Sequence, residues 1–319
     1  MNSGKWAVTH ASSPLAEAIL EQMADAGIPA ENVILLDTED HTGKRLSYAD
    51  TYIETLDHTE FDYEGLIAVL LLEQDAELED LLQHADCFVI SHYFDEQAEP
   101  VYTPYLTQDV KWTQAQPIKL ATAEFSSLLS ILKPMQSDYA FKSIQLVNIL
   151  SSAFYGKPAI DELASQTINL LSSQKPESKV FPIQQAFNMQ PVTTPAEMGL
   201  QLSLLMGGDV SCSIQSLLVP AFYGMACSVF VECAAGIELK AFIARLKKIK
   251  GIKVSKDPVS PMSHCQQGAT IYVAMAQESG QHANRVQFWM IADSSRNGLV
   301  ENYIGTIKVL SESNELKQK

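Results

Sequence analysis

The chain has 319 residues, 46% of them apolar and 19% charged, which is enough to bury a core in one large or two ordinary domains and argues against disorder. A net charge of −16 argues against a nucleic-acid surface, and the longest apolar runs, such as Leu66–Leu72, are far too short to span a bilayer. Five scattered cysteines without a CxxC pair indicate neither a zinc site nor a disulfide framework, and the opening MNSGKWAVTH lacks the pattern of a signal peptide, so a soluble cytoplasmic protein is expected.

Lys5–Thr9 predicts a short strand, and Leu15–Ala26 a helix with Leu15, Ile19 and Met23 on one face. Ser13 suits its N-cap, Pro14 its first position, and Gly27 its end. Val33–Leu36 follows as a second strand ending at Asp37. This strand–turn–helix–strand order opens a doubly wound α/β domain, which makes the turn a candidate for dinucleotide binding. Such a turn needs glycines to bend tightly and to admit a pyrophosphate. His10-Ala11-Ser12-Ser13-Pro14-Leu15-Ala16 has none, and Pro14 removes an N–H from the helix terminus. Ser12 and Ser13 could bond an anion, although capping is their blander role, and Asp37 stands where an acid could hold a ribose.

Gly65–Leu72 reads as a buried strand, Asp75–Ala85 as a helix, and Asp86–Ser91 as a further strand followed by His92, Tyr93 and Asp95. Pro117–Leu120 predicts a strand, Glu124–Leu132 a helix ended by Pro134, Phe141–Ile149 a long strand, and Asp161–Leu171 and Ala196–Met206 helices. Strands then dominate, at Val210–Val219, Met225–Glu232, Ala269–Ala276 and Arg285–Ala292, interrupted by a helix at Leu239–Lys248. Asn302–Ser311 closes the chain. Leu217–Glu232, broken by Pro220 and Gly224, reads as strand, tight turn and strand in the middle of a sheet. The basic cluster Arg245, Lys247, Lys248 and Lys250 reads as a solvated helix face.

Five stretches resemble the aspartate-semialdehyde dehydrogenase family, in its order: Leu15–Met23, Ser126–Met135 (SSLLSILKPM), Gln184–Pro191 (QQAFNMQP), LVPAFYG ending at Gly224, and Arg285–Gly298. The nearest branch is the bacterial Usg-like proteins, homologues with altered active sites. The resemblance implies a Rossmann-like domain over residues 1–130, completed by a C-terminal helix at 297–319. It also implies a dimerisation domain with a large mixed sheet over 131–296. The family's reaction is an NADP-linked reductive dephosphorylation of aspartyl phosphate, in which a Cys thiolate attacks and a His relays protons.

Carried over residue by residue, the family's Cys falls on Ala123, its His on Met225, its substrate Arg on Leu218 and its assisting Gln on Leu150. Its EExK motif falls on Ala196-Glu197-Met198-Gly199, keeping the acid but not the Lys, and its cofactor-side segment is partly kept as Ala292-Asp293-Ser294-Ser295-Arg296-Asn297-Gly298. A methyl group cannot attack and a thioether cannot exchange a proton. The expectation is a catalytically inactive homologue acting as a homodimeric structural or interaction protein. No catalytic residue, no cofactor site at His10, Ser12 and Ser13, no metal, no nucleic acid and no membrane are expected. Two alternatives stand beside it: a module binding a small ligand in the old cleft, and an NADP-dependent enzyme with a relocated nucleophile, either Cys227 or the His264-Cys265 pair.

Overall fold

The computed structural model describes residues 4–93, 101, 117–193, 197–265, 270–278, 283–293 and 298–317. The chain divides into two compact units, Met1–Ala123 with Gly298–Lys319, and Glu124–Asn297. The division thus falls at the start of a helix, whereas the change of pattern in the sequence suggested residue 130. Among the described residues no helix is long and apolar enough to cross a membrane.

The first unit is built on β1 (Lys5–Val8), α1 (Pro14–Asp25), β2 (Val33–Asp37), β3 (Arg45–Tyr48), β4 (Thr51–Asp57), β5 (Leu66–Leu71), α2 (Ala76–Leu82), β6 (Phe88–Ser91) and β7 (Ile118–Lys119). The sheet order is β3-β4-β2-β1-β5-β6-β7, parallel except for the antiparallel edge strand β3. Both faces of the central strands β2, β1 and β5 are buried, as parallel strands require. Trp6, Val8 and Leu70 pack with Leu15, Ile19 and Met23 of α1 and with Tyr303 and Ile307 of the C-terminal helix (Leu299–Lys317). On the other face, Ala7, Val69 and Leu71 pack with Leu78 and Leu82 of α2. The α1 signals behave as their chemistry dictates: the Ser13 hydroxyl accepts the Ala16 N–H at 3.2 Å, Pro14 sits at the start, and Gly27 lies at φ 79°.

The second unit contains α3 (Ala123–Gln136, its first residue counted with the first unit), β8 (Phe141–Leu150), α4 (Lys157–Leu171), β9 (Gln190–Val192), α5 (Glu197–Leu205), β10 (Ser211–Leu218), β11 (Met225–Cys233), α6 (Leu239–Leu246), β12 (Ile252–Ser255), α7 (Pro261–His264), β13 (Ile271–Glu278) and β14 (Arg285–Ala292). Its mixed sheet runs β12-β13-β14-β11-β8-β10-β9. Pro134 does not end α3 but lies inside it, near its C-terminus. There the Pro134 carbonyl accepts from Arg245 at 2.6 Å, and the same guanidinium meets Asp138, so one member of the basic cluster ties α6 to the end of α3.

Leu217–Glu232 does give strand, turn and strand, but the two strands are not neighbours. β8 lies between them, parallel to β10 and antiparallel to β11. The connection therefore arches over the end of β8, where Ser152 and Ala153 donate to the Ala221 and Phe222 carbonyls at 2.9 Å. Gly224 closes the arch at φ 83°, and a Cβ there would lie 2.6 Å from Pro261 Cβ, so only glycine fits. On α4, Glu162 accepts from the Lys179, Val180 and Phe181 amides, and Gln166 accepts from those of Gln185 and Ala186. Gln166 thereby holds the start of the QQAFNMQP segment, and Glu162 the stretch that leads into it.

Candidate active site

Sheet register brings three of the four singled-out positions side by side. Leu218 of β10 pairs with Leu150 of β8, and Leu150 pairs with Met225 of β11, which pairs with Ala292 of β14. Residues directly opposite one another project to the same face, so these side chains form one row. Leu218, Leu150 and Met225 are 3%, 1% and 1% exposed, and that decides their character: the row is a packed apolar seam. Its outer end is Gln190, which pairs with Leu218 and donates to Gln185 Oε1 at 2.5 Å.

Two residues further along the strands, on the same face, lies a second row of Ser216, Asn148, Cys227 and Met290. Cys227 Sγ donates to Asn148 Oδ1 at 2.7 Å. Burial, and after it the charge of Glu124, push the Cys227 thiol up to about 12. A nucleophilic cysteine needs the opposite, a positive field that lowers its pKa, so Cys227 is held as a thiol. Cys265 is treated alike, its thiol raised to about 12 by burial and by Asp293. His264 Nδ1 faces the Ser260 carbonyl at 3.2 Å and its ring stacks edge-on with Tyr272. Neither spare cysteine has the surroundings of a working thiolate. Asn148 and Glu124, which set the state of Cys227, were not singled out by the sequence, because only strand register and helix packing bring them there.

Ala123 belongs to the first unit, where it opens α3 and packs its methyl group against the core that includes Leu120 and Tyr303. Gly199, which stands where the resemblance puts the family's Lys, lies on α5 close against β10. A Cβ there would come within 2.9 Å of the Cys212 carbonyl oxygen, so the position excludes any side chain without a backbone shift. Glu197 is exposed in the first turn of the same helix. Ala196, Asp95 and 294–297 lie outside the described residues.

The first strand–helix turn is filled by the protein's own groups. Ala11 N–H donates to Leu36 O at 3.1 Å, Ser13 N–H to His10 O at 2.9 Å and Ser12 N–H to Asp37 Oδ2 at 2.8 Å. Asp37 Oδ1 accepts from Thr38 N–H at 2.9 Å and meets His41 at 3.2 Å. Burial works against the Asp37 charge, but the bonds from Ser12 and Thr38 and the His41 imidazole outweigh it and hold the carboxyl below its ordinary value. The acid that could reach a ribose is thus turned inward onto the amide that could reach a phosphate. With the amides of Ala11, Ser12, Ser13 and Ala16 engaged and Pro14 lacking one, the turn does not fit a dinucleotide pyrophosphate.

His92, beside the end of β6, is locked too. Tyr303 Oη donates to Leu71 O at 3.2 Å, so the 2.9 Å contact between His92 Nδ1 and Tyr303 Oη takes its proton from the imidazole. Burial pushes the His92 pKa down to about 4, leaving a neutral ring that joins the sheet to the C-terminal helix.

Comparison with known proteins follows the same outline. The profile of the semialdehyde dehydrogenase dimerisation domain matches residues 132–296. The aspartate-semialdehyde dehydrogenase 2 of Vibrio cholerae is 24% identical over 325 residues, covering 95% of this chain and 96% of that protein. The USG-1 protein homolog of Pseudomonas aeruginosa is 24% identical over 322 residues, covering 93% and 95%. A solved structure of a probable aspartate-semialdehyde dehydrogenase from Pseudomonas aeruginosa superposes with a TM-score of 0.82 at 23% identity, covering 97% of each chain.

Proposed function

The chain belongs to the semialdehyde dehydrogenase family, and from that premise we propose that it is a member without the family's catalysis, acting as a homodimeric structural or interaction protein. The observation that carries this reading is the seam Leu218–Leu150–Met225, apolar, in register and buried. Those positions carry the substrate Arg, the Gln and the proton-relaying His in the resemblance. Three apolar side chains there pack one another instead of presenting a charge, a donor or a base. An acyl phosphate entering such a surface would lose its water and gain no partner. The inward Asp37 and the engaged turn support the absence of NADP. The thiol state of Cys227 speaks against a relocated nucleophile.

The homodimer rests on the second unit. Its profile is that of a dimerisation domain, and the unit displays large apolar side chains: Ile168 is 64% exposed, Leu171 75%, Phe187 66% and Leu200 62%. Covering such groups is what a subunit interface does.

Two measurements test the reading. Purified protein given aspartate semialdehyde, NADP and phosphate is expected to produce no NADPH above a heat-treated control, and light scattering is expected to give twice the chain mass. Phosphate-dependent turnover that survives further purification would refute the inactive reading, and a monomer at micromolar concentration would refute the dimer.

A further inference from the structure

His10, His58 and Asp75 come from three different strand ends in the first unit. His10 follows β1, His58 follows β4 and Asp75 follows β5, all at the carboxyl edge of the parallel sheet. The order β4-β2-β1-β5 places the two directions of winding on either side of β1 and β5, and open α/β sheets bind ligands at that edge. One nitrogen or oxygen from each of the three side chains lies within 4.8 Å of the other two. His10 Nε2 is 3.8 Å and His58 Nε2 3.7 Å from the same atom, Asp75 Oδ2. The two rings meet edge to face, their centroids 5.7 Å apart.

The hydrogen bonds settle which atoms are free. Thr9 Oγ1 gives its only proton to the Leu70 carbonyl at 3.1 Å and accepts the Leu72 N–H at 3.2 Å. Its 3.3 Å contact with His10 Nδ1 must therefore be donated by the imidazole. In the neutral ring this leaves the Nε2 lone pair pointing at a carboxylate oxygen, acceptor against acceptor. Asp75 Oδ1 caps α2, accepting the Glu77 and Leu78 amides at 3.1 Å each, so Oδ2 is the oxygen left for the two imidazoles. His58 is 5% exposed, and its Nδ1 has no hydrogen-bond partner among the described residues. His10 itself is held at φ 49°, a left-handed conformation that histidine tolerates better than most residues.

Separations of 3.7 and 3.8 Å are too long for hydrogen bonds. They suit two ligand atoms that each stand about 2.0–2.2 Å from one ion between them. A cation there would turn acceptor against acceptor into attraction. We propose that His10, His58 and Asp75 form a binding site for a divalent transition metal of the zinc class. Two imidazole nitrogens and one carboxylate oxygen are the donors such an ion prefers, with a fourth position left to water or a small ligand. The cap bonds on Asp75 Oδ1 and the Thr9 contact with His10 Nδ1 orient two of the three ligands from behind, as outer partners do in metal sites, while His58 is held by its burial alone. The three residues are far apart in sequence and follow no ligand spacing, so the chain as a string showed no metal there.

The test uses the full chain, stripped with chelator and dialysed metal-free. Titration with zinc chloride in a calorimeter is expected to show one ion per chain with a Kd of about 10 µM or tighter. Cobalt chloride is expected to give visible d–d absorption, which water-only coordination does not intensify. Asp75→Asn keeps an oxygen for the Glu77 and Leu78 amides, and His10→Asn keeps a residue that tolerates the left-handed turn. His58→Gln removes the buried imidazole. Each is expected to weaken zinc binding at least about tenfold while circular dichroism stays native, and His84→Ala, a change at an exposed histidine outside the turn, is expected to leave it unchanged. No heat of binding at 100 µM zinc, or a Kd that the Asp75→Asn and His10→Asn variants leave unmoved, overturns the proposal.

Discussion

Replacing Leu150 by Asn tests whether the seam is packed protein or an open polar site. Both side chains have four heavy atoms and branch at Cγ, so the shape is kept while two methyl groups become a carboxamide. Leu150 is 1% exposed between Leu218 and Met225. Withdrawing a fully buried leucine side chain costs about 2 kcal/mol of apolar burial. Leaving a carboxamide unpaired adds about 1–3 kcal/mol. The sum, about 3–5 kcal/mol, is a large part of the total stability of an ordinary domain. With a urea m-value of about 2 kcal/mol/M, the midpoint is expected to fall by roughly 2 M. The assay is urea unfolding followed by the fluorescence of Trp289, which lies in β14 of the same sheet, in a chain whose other tryptophans are changed to Phe. Leu150→Met is the control, expected to cost less than about 1.5 kcal/mol because it conserves volume and polarity. If Leu150→Asn costs no more than that control, water or a polar group reaches the seam, and the reading of a filled site is wrong.

Restoring the nucleophile and base together, as Ala123→Cys with Met225→His, is expected to yield no NADP-dependent turnover, because Leu218, Leu150 and Gly199 still deny the substrate a charged partner; turnover abolished by returning position 123 to Ala would sink this. Isothermal titration with NADP is expected to show no micromolar binding, since the Ser12 amide is already bonded to Asp37. The Asp37 carboxyl is held below its ordinary value in the folded chain, so its stabilisation is complete above the unfolded pKa of about 3.9 and is lost as pH falls through the folded one. Asp37→Asn is therefore expected to lower stability by about 1–3 kcal/mol at pH 7 and by less at pH 3, read from melting temperatures; an equal loss at both pH values would contradict the assignment.

Much of the architecture could be read from local chemistry. The Ser13 cap, Pro14 and Gly27 bound α1 within a residue, and β14 matches Arg285–Ala292 because its apolar residues alternate into the core and run buried to its end. β3 and β4 were missed because Arg45–Tyr48 and Thr51–Asp57 form the exposed side of the sheet, where polar residues hide the alternation. β9 and β12, at the two edges of the second sheet, were missed because three and four residues are too few to show a period. The seam was visible only through the resemblance, since nothing local says that β8 runs between β10 and β11. Non-local register also hid Asn148 behind Cys227, and strand order hid the His10, His58 and Asp75 cluster.

The C-terminal helix carries a consequence for how the molecule is made. Tyr303, Ile307 and Leu310 are buried in the same core as Trp6 and Ile19, yet about 170 residues of a different unit are synthesised between them. On the ribosome the second unit can close its sheet as soon as β14 emerges. The first must wait, with the apolar face of β1 and α1 exposed, for the last helix to arrive. The domain that begins the chain is the last to be completed, and a premature stop shortly before Leu299 would leave the second unit whole while stranding the first as a target for chaperones and proteases.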